Sequence, residues 1–264
     1  IEKRTGIRLK DQTKGPNEDS EVIFVGSFDK ANKMPSLYKE ILGNTAKPGK
    51  EGFILRFKNA KRKSILIAGA DPRGVLYGVG KLLRKMNWSN SSILFPASLD
   101  INTAPKYPIR GHQLGYRPKT NSYDAWTDKQ FDQYIRELGL FGMNTVEIVP
   151  PRTDDDYTSR HMKYEPLDMM SRLSTICDSY DMDVWIWYPN MGEDYTDPDV
   201  IKEELAEREE IFKKLKRIDC VFFPGGDPGH LHPDVLFPWM EKVADLLVKY
   251  HPDAKLWVSP QAFA

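Results

Sequence analysis

The sequence lacks two features that would indicate a nucleic-acid-binding or membrane protein. It has no net charge, because Lys and Arg together number 38 and Asp and Glu together also number 38. Nucleic acids and anionic membranes attract proteins with a basic surface, so neither is expected as the main partner. No apolar run approaches the roughly 20 residues that span a bilayer. The charged first residues, Ile-Glu-Lys-Arg-Thr-Gly, do not have the pattern of a signal peptide.

Cysteine is also scarce, and Cys177 and Cys220 are the two in the chain. Cys177 falls in a segment with a helical pattern, and Cys220 begins a segment with a strand pattern. Isolated cysteines in such segments usually behave as small buried hydrophobic residues. We therefore expect two buried thiols, which say little about the redox compartment.

Residues 1–100 mix strand and helix patterns. Short apolar or alternating runs predict strands, and apolar residues three and four apart predict helices. The predicted strands are Val22–Gly26, Gly52–Lys58 and Ser64–Gly69, and the predicted helices are Pro35–Leu42 and Val75–Met86. This pattern predicts a small α+β domain with a helix on one face of its sheet. The Asn-, Ser- and Pro-rich segment Asn87–Pro108 is predicted to be a linker.

From Tyr107 onward, strand and helix patterns alternate regularly. The predicted strands are Ile109–Leu114, Thr145–Pro150, Val184–Tyr188, Cys220–Pro224 and Lys255–Ser259. The predicted helices are Asp128–Phe141, Leu167–Tyr180, Asp199–Arg217 and Val235–Tyr250. Successive strands begin about 36, 39, 36 and 35 residues apart. A strand followed by a long helix at a steady period is typical of β/α units in a parallel sheet.

Both a doubly wound sheet and a (β/α)8 barrel fit five such units. The barrel is favoured, because each strand ends in a polar or Gly/Pro-rich loop and no Gly-rich phosphate loop follows the first strand. The predicted fold class is therefore α/β, with an α+β domain at residues 1–100 and a partial TIM barrel of five β/α units at residues 107–264. A complete barrel would need three further units, or about 110 residues beyond Ala264.

Candidate site residues lie at or just after the predicted strands, because a barrel gathers its active site at the carboxyl ends of its strands. Two carboxylates, Asp227 and Glu147, are the candidate catalytic groups. The candidate substrate-binding residues are polar or aromatic: Arg110, His112, Gln113, Trp187, Asn190, His230 and Gln261. Aromatic rings cover the apolar C–H face of a sugar, and planar polar groups pair with neighbouring hydroxyls. This mixture predicts a carbohydrate partner.

Each of the strongest candidates has a second interpretation. Asp227 follows two glycines that would expose its carboxylate at the barrel mouth, but the same residues also suit a tight turn. Arg110 and Glu147 interrupt apolar strands, where a charge is costly unless it is paired or faces a ligand. They are thus either site residues or buried partners of each other. Trp185 and Trp187 alternate with Ile186 and are equally suited to the core.

A metal site is a further hypothesis, since Asp227, His230 and His232 offer three ligands close in sequence. A zinc site usually has a fourth ligand or a characteristic spacing of its ligands in the sequence, and this segment has neither. We therefore predict no metal and no cofactor. The acidic run at residues 154–156 is expected to be a solvated loop.

The sequence motifs now allow a family resemblance to be stated. Asp71, Arg73, Gly74, Tyr77 and Gly78 form an Asp-x-Arg-Gly-x-x-Tyr-Gly motif. With the surrounding strands, it resembles the accessory α+β domain that precedes the barrel in family 20 β-hexosaminidases and family 67 α-glucuronidases. The Tyr-Pro-Ile-Arg-Gly segment ending at residue 111 resembles the entry into such a barrel, so the likeness covers most of the chain.

The resemblance implies roles for individual residues. Arg110 matches the Arg that holds sugar hydroxyls in family 20, and Asp227 matches the Asp that assists the substrate's 2-acetamido group. The family's general acid is a Glu in the next position, where this chain has Pro228. Glu147 stands where the family has a His. The resemblance therefore implies a divergent relative with altered chemistry or none.

The leading functional hypothesis is a glycoside hydrolase, with a uronic acid or another modified sugar as a candidate substrate. The alternative is a non-catalytic carbohydrate-binding protein on a degenerate glycosidase barrel. The chain by itself is expected to be inactive, and activity is expected of a longer parent. The resemblance also implies an extracellular or periplasmic location.

Overall fold

A computed structural model gives the structure of the protein. It describes residues 1–11, 20–33, 35–59, 63–96, 98–114, 125–148, 161–225 and 231–261. Their contacts define two compact units, one formed by Ile1–Pro108 with Gly139–Gly142 and the other by Ile109–Leu138 with Met143–Ala264.

The first unit is built on a mixed sheet with strand order β1-β3-β2-β6. Its strands are β1 (Val22–Ser27), β2 (Phe53–Asn59), β3 (Lys63–Gly69) and β6 (Asp100–Thr103), and β4 (Asn87–Ser89) pairs with β5 (Ser92–Leu94) in a separate hairpin. Its helices are α1 (Glu2–Thr5), α2 (Ser36–Leu42) and α3 (Pro72–Lys85), with a 3-10 helix at Phe28–Lys33. β1 runs parallel to β3, whereas β2 runs antiparallel to both β3 and β6.

Both faces of this sheet are buried, which differs from the single covered face that the sequence predicts. Leu55 and Ile67 pack in one core with Tyr77 of α3. Leu66 and Ala68 belong to a second core, which includes α2. Because successive side chains of a strand point to opposite faces, an uninterrupted apolar run such as Ile65–Ala68 supplies both cores.

The segment Asn87–Pro108 is not only a linker. It contains β4 and β5, and β6 forms an edge of the mixed sheet by pairing with β2. Asn, Ser and Pro make this segment look irregular, but four residues are enough for an edge strand when a partner is available. Composition alone does not reveal that partner, since β2 lies more than 40 residues earlier.

The Asp-x-Arg-Gly motif begins α3 and fastens it to the turn before β2. Asp71 caps the helix by accepting the backbone N–H of Gly74 at 2.9 Å, and its second oxygen accepts the N–H of Glu51 at 2.7 Å. Arg73 forms a 2.9 Å ion pair with the buried carboxylate of Glu51. Pro72 occupies the first helical position, where its missing N–H costs nothing. These contacts give each of these residues a structural role.

The glycines of the motif let α3 approach the sheet closely. A Cβ atom added to Gly74 would lie 2.1 Å from the carbonyl oxygen of Gly52. A Cβ atom on Gly78 would lie 2.6 Å from a methyl group of Ile67. Neither separation is physically possible without a shift, so glycine at both positions is a packing requirement.

The second unit is a parallel sheet with strand order β11-β10-β9-β8-β7. Its strands are β7 (Gly111–Gln113), β8 (Thr145–Ile148), β9 (Asp183–Trp187), β10 (Cys220–Phe223) and β11 (Lys255–Val258). The helices between them are α4 (Asp128–Phe141), α5 (Pro166–Ser179), α6 (Pro198–Lys214) and α7 (Pro233–Tyr250). The fold class is thus α/β, as predicted.

Of the two folds that the sequence leaves open, the sequential strand order favours the barrel. Each strand pairs with the next strand along the chain, and the order does not reverse within the described sheet. A doubly wound sheet reverses its order at a switch point, whereas successive units of a (β/α)8 barrel keep it. The second unit has the order of the first five strands of such a barrel.

The two faces of this sheet have different environments. Val146, Val184, Ile186 and Val221 lie in a core that also contains side chains of α4–α7. The alternate residues therefore face away from the helices. We call this side the inner face, and it carries Gln113, Glu147, Trp185, Trp187, Cys220, Phe222 and Trp257.

A charged cluster ties the amino ends of β9 and β10 together. Arg217 donates to Asp183 at 2.7 Å and to Asp219 at 2.7 Å. The carboxylate of Asp219 also accepts the backbone N–H of Val184 at 2.8 Å. Burial alone would lower the pKa of Arg217, but its carboxylate partners raise it. This cluster fixes the end of the sheet opposite to the strand ends that a barrel uses for its site.

No helix in the described ranges is both long enough and apolar enough to span a bilayer.

We predict that Gly74→Ala destabilises the protein by about 1–3 kcal/mol, because the new methyl group would collide with the backbone of Gly52. A loss of stability would be informative, because replacing a glycine inside a helix by alanine otherwise stabilises the helix by about 1 kcal/mol. Urea unfolding measures the change. Gly111→Ala is the control, because its Cβ would make only ordinary contacts, the nearest at 3.6 Å. Equal stability of the two variants would contradict the packing argument.

Candidate functional site

A carboxyl–amide pair lies on the inner face, where β7 and β8 run side by side. Gln113 and Glu147 are partners in the strand register, so their side chains leave the sheet at the same level. The side-chain amide of Gln113 donates to Glu147 Oε1 at 2.6 Å. Both residues were predicted from the sequence as site residues, and the structure brings them together.

The environment of Glu147 favours its protonated form. Burial raises the pKa of this carboxyl above its usual value, and the hydrogen bond from Gln113 lowers it by a smaller amount. A carboxylic acid that keeps its proton at higher pH than usual is suited to act as a general acid. Glu147 therefore has the electrostatic property that a proton donor needs.

Tryptophans continue the inner face beyond Glu147. Trp185 is the register partner of Glu147, and Trp187 ends the same strand. The rings of Trp185 and Trp257 meet edge to face, with centroids 4.7 Å apart. Trp257 is 44% exposed although it is a large apolar side chain, whereas Trp187 is 7% exposed. An exposed indole such as that of Trp257 is a surface on which a sugar ring can stack.

Cys220 lies at the same level as Trp185 and is buried. Burial, and secondarily the charge of Glu147, raises the pKa of its thiol to about 12. Burial raises the pKa of Cys177 to about 12 as well. Both are buried and free, as the sequence predicts. A thiol with such a pKa is not an effective nucleophile at neutral pH.

His112 lies on the opposite side of the sheet from Gln113, which corrects the prediction that both bind substrate. His112 is the register partner of Val146, which packs against the helices. Its Nε2 atom is 3.0 Å from the hydroxyl of Tyr134 on α4, and burial lowers its pKa. Neighbouring residues of a strand cannot both face the same ligand.

Asn190 is also turned away from the inner face. It is 1% exposed, and its side-chain oxygen accepts the indole N–H of Trp239 on α7 at 3.0 Å. This geometry does not support the predicted role of Asn190 in substrate binding. The residue instead links the loop after β9 to a neighbouring helix.

Arg110 precedes β7 and lies at the amino end of the sheet. Its backbone N–H donates to the side chain of Asn144 at 2.9 Å, and its carbonyl accepts the N–H of Asn144 at 3.0 Å. The described contacts do not join its side chain to Gln113 or Glu147. Its role in sugar binding stays a prediction.

The first glycine of the Gly-Gly-Asp segment lies against the loop after β11. Gly225 has a φ of +71°, and a Cβ atom there would lie 2.1 Å from the carbonyl oxygen of Ser259. Gln261, a predicted binding residue, is exposed in the same loop, where its backbone N–H donates to Ser259 Oγ at 3.2 Å. Packing thus accounts for this glycine without any reference to catalysis.

Asp227, Pro228 and His230 lie outside the described residues, so their predicted roles stay predictions. His232 is described, and its ring nitrogen caps α7 by accepting the N–H of Asp234 at 3.4 Å. Within the described ranges, no three His, Cys, Asp or Glu side chains form a cluster that could hold a metal ion.

A buried polar cluster beneath the loop after β9 was not predicted from the sequence. Glu204 and Arg208 form an ion pair within α6, and both are buried. A Glu and an Arg four residues apart usually form an exposed pair. The available signal was their position, because both lie on the helical stripe that includes Ile201, Ile211 and Leu215.

Comparisons with known proteins bear on the family of the first residues and on the fold. Residues 1–82 match the family model for the Glycosyl hydrolase family 67 N-terminus. No curated protein matches the chain significantly. The chain resembles glycoside hydrolases in fold.

Three solved structures illustrate the likeness. CpGH84B has a TM-score of 0.58 at 16% identity, with 94% of this chain and 48% of that chain covered. A family 20 β-N-acetylglucosaminidase has a TM-score of 0.58 at 13% identity, with 94% and 64% covered. The family 20 exo-β-N-acetylglucosaminidase of Vibrio harveyi, in complex with N-acetylglucosamine, has a TM-score of 0.55 at 13% identity, with 95% and 53% covered. The chain thus spans about half to two thirds of the length of these structures.

We predict that the pKa of Glu147 lies above the 4.5 of an ordinary Glu, because the folded protein favours its neutral form. A raised folded-state pKa adds stability at low pH, and this contribution is lost as the pH rises through the folded value. As the pH rises above 4.5, the parent chain should therefore lose stability that Glu147→Gln does not lose. Urea unfolding at several pH values and a carboxyl NMR titration measure the two effects. A titration midpoint at or below 4.5 would contradict this assignment.

Proposed function

We propose that this chain is the accessory domain (residues 1–100) and the first five β/α units (residues 107–264) of a glycoside hydrolase. The observation that carries the proposal is Glu147, a carboxyl group with a raised pKa beside tryptophans on the inner face. The family 67 match at residues 1–82 and the glycosidase-like fold support the same function. A uronic acid or other modified sugar is our candidate substrate class.

In this mechanism Glu147 acts as the general acid. It would donate its proton to the glycosidic oxygen as the bond to the leaving group breaks. Gln113 orients the carboxyl group by donating to Oε1, so the proton is carried by the other oxygen. Pro228 cannot donate a proton, and we therefore place the donor on β8 instead of at the end of β10.

Asp227 supplies the second carboxylate. Glycoside hydrolysis generally uses two carboxyl groups on opposite sides of the scissile bond, about 5–5.5 Å apart for retention and about 6.5–9.5 Å apart for inversion. A carboxylate can also assist a 2-acetamido group, which is the role that the family 20 resemblance implies. Gln113, His230 and Gln261 are then proposed contacts to sugar hydroxyls.

The aromatic part of the inner face is the proposed sugar platform. Trp257 and Trp187 occupy the same level of the sheet, with Phe222 between them in the register. This level is nearest to the carboxyl ends of β9 and β10, where a barrel binds its substrate. We infer that three further β/α units would close the barrel around these side chains. An extracellular or periplasmic location is part of the same proposal.

The alternative is a carbohydrate-binding protein without hydrolytic activity, and Pro228 is the observation that favours it. In that case Trp257 would still bind a sugar, but Glu147 would have no reaction to catalyse. Isothermal titration with Trp257→Ala together with a hydrolysis assay separates the two functions.

We predict that Glu147→Gln lowers hydrolysis of unactivated glycosides, such as methyl glycosides, by the longer parent protein by about 10²–10⁴-fold, because an alkoxide leaving group needs the proton that this residue donates. Asp227→Asn should also lower it strongly. The kcat of the parent protein should fall as the pH rises, because the Glu147 carboxyl group loses its proton. This fall should be absent in Glu147→Gln, which has no such group.

Glu137→Gln is the matched control, because this Glu is an exposed residue on α4 that also accepts a bond from a Gln side chain. It should leave the rate unchanged. Full activity of Glu147→Gln would refute the assigned role. Sugar binding without any hydrolysis by the parent protein would favour the alternative function.

A further inference from the structure

We propose that Arg208 is a positioning residue for the carbohydrate site. With Glu204, it holds the loop between β9 and α6 (residues 188–197) in one shape at the edge of the inner face. This inference rests on the proposed function for its consequence on sugar binding, but its structural part can be tested separately.

The loop of residues 188–197 begins directly after the last inner-face residue of β9. Trp187 is the last residue of β9, and Asp197 caps α6 by accepting the N–H of Asp199 at 2.8 Å. Loops that leave the carboxyl ends of parallel strands form the walls of a barrel's binding site. The shape of this loop therefore affects what can reach the tryptophans and Glu147.

Backbone groups at two points of the loop are attached to the ion pair. Arg208 donates to the carbonyl oxygen of Pro189 at 3.3 Å and to Glu204 Oε2 at 2.5 Å. The same Glu204 oxygen accepts the hydroxyl of Tyr195 at 3.0 Å. That hydroxyl in turn accepts the backbone N–H of Gly192 at 3.0 Å. A continuous chain of hydrogen bonds thus connects α6 to both halves of the loop.

Aromatic rings hold the guanidinium of Arg208 in place. Its central carbon lies 4.0 Å from the ring centroid of Tyr188 and 4.9 Å from that of Trp239. Trp239 also donates to Asn190, which follows Pro189 in the loop. A planar guanidinium between two rings cannot be replaced by the ammonium of a Lys without loss of both stacking and the forked hydrogen bonds.

The cluster of Glu204 and Arg208 is not an arrangement that would contribute much to the free energy of unfolding. The side chains of Arg208 and Glu204 are 0% and 8% exposed, so both charges have lost their water. Arg208 Nε and Asn190 Nδ2 have no hydrogen-bond acceptor among the described residues. Buried ion pairs of this kind contribute little net stability compared with apolar side chains, and incomplete networks contribute less. Its clearest effect is on geometry, because it fixes the loop backbone at Pro189 and Gly192.

The decisive variant is Arg208→Met, which keeps a long side chain and removes the fork. Lys213→Met is the matched control, since Lys213 also pairs with a Glu four residues earlier in α6 but is exposed. Amide hydrogen exchange of Gly192, followed by NMR, reports the loop directly. We expect exchange at Gly192 to become about tenfold faster or more in Arg208→Met and to stay unchanged in Lys213→Met.

Tyr195→Phe provides a second variant in case Arg208→Met does not fold. It removes one hydroxyl, the atom that joins Gly192 to Glu204, and should accelerate exchange of the same amide. Unchanged exchange at Gly192 in a folded Arg208→Met or Tyr195→Phe would overturn the inference.

The consequence for the site is measured in the longer parent protein with 4-nitrophenyl N-acetyl-β-glucosaminide and 4-nitrophenyl β-glucuronide. We expect Arg208→Met to raise KM several-fold while kcat changes less, because the wall of the site is displaced and the proton donor is not. A mobile loop with unchanged KM would refute the positioning role. Absence of any hydrolysis by the parent would count against the proposed hydrolase, whereas Gly192 exchange would still decide whether Arg208 holds the loop.

Discussion

Register between parallel strands is the constraint on which the candidate site depends. Each strand of the second unit alternates its side chains, and the pairing places Gln113, Glu147, Trp185 and Cys220 at one level. A shift of one residue in β8 would turn Glu147 toward the helices and bring Val146 to the inner face. The apolar packing of Val146 and Val184 against the helices therefore keeps the carboxyl group where it is. The packing that stabilises the core thus also sets the position of the Glu147 carboxyl group.

The sequence allowed much of the fold to be predicted, because the signals involved are local. The short apolar runs that predict strands and the apolar residues three and four apart that predict helices both depend on residues near each other in the chain. The edge strand β6 was missed, since its pairing with β2 is a long-range property that composition does not express.

The candidate site was harder to predict than the fold. The sequence analysis named Gln113, Glu147 and His112 separately and did not foresee that register pairs the first two, whereas strand alternation turns His112 to the other side. Arg208 was overlooked because its partners are loop carbonyls and aromatic rings from other elements. Burial of a charged residue depends on what packs above it, and that information is spread over β9, α6 and α7.

The glycine at position 225 has a consequence for how such sequences are compared. Its neighbour is the main-chain oxygen of Ser259, which is present whatever side chain occupies that position. The backbone would therefore still exclude any side chain at position 225 in a protein that had lost its catalytic activity. A relative that no longer cleaves any bond would thus be held to the same glycine as an active one. A glycine at this position therefore indicates shared architecture and carries no information about whether a protein is catalytic.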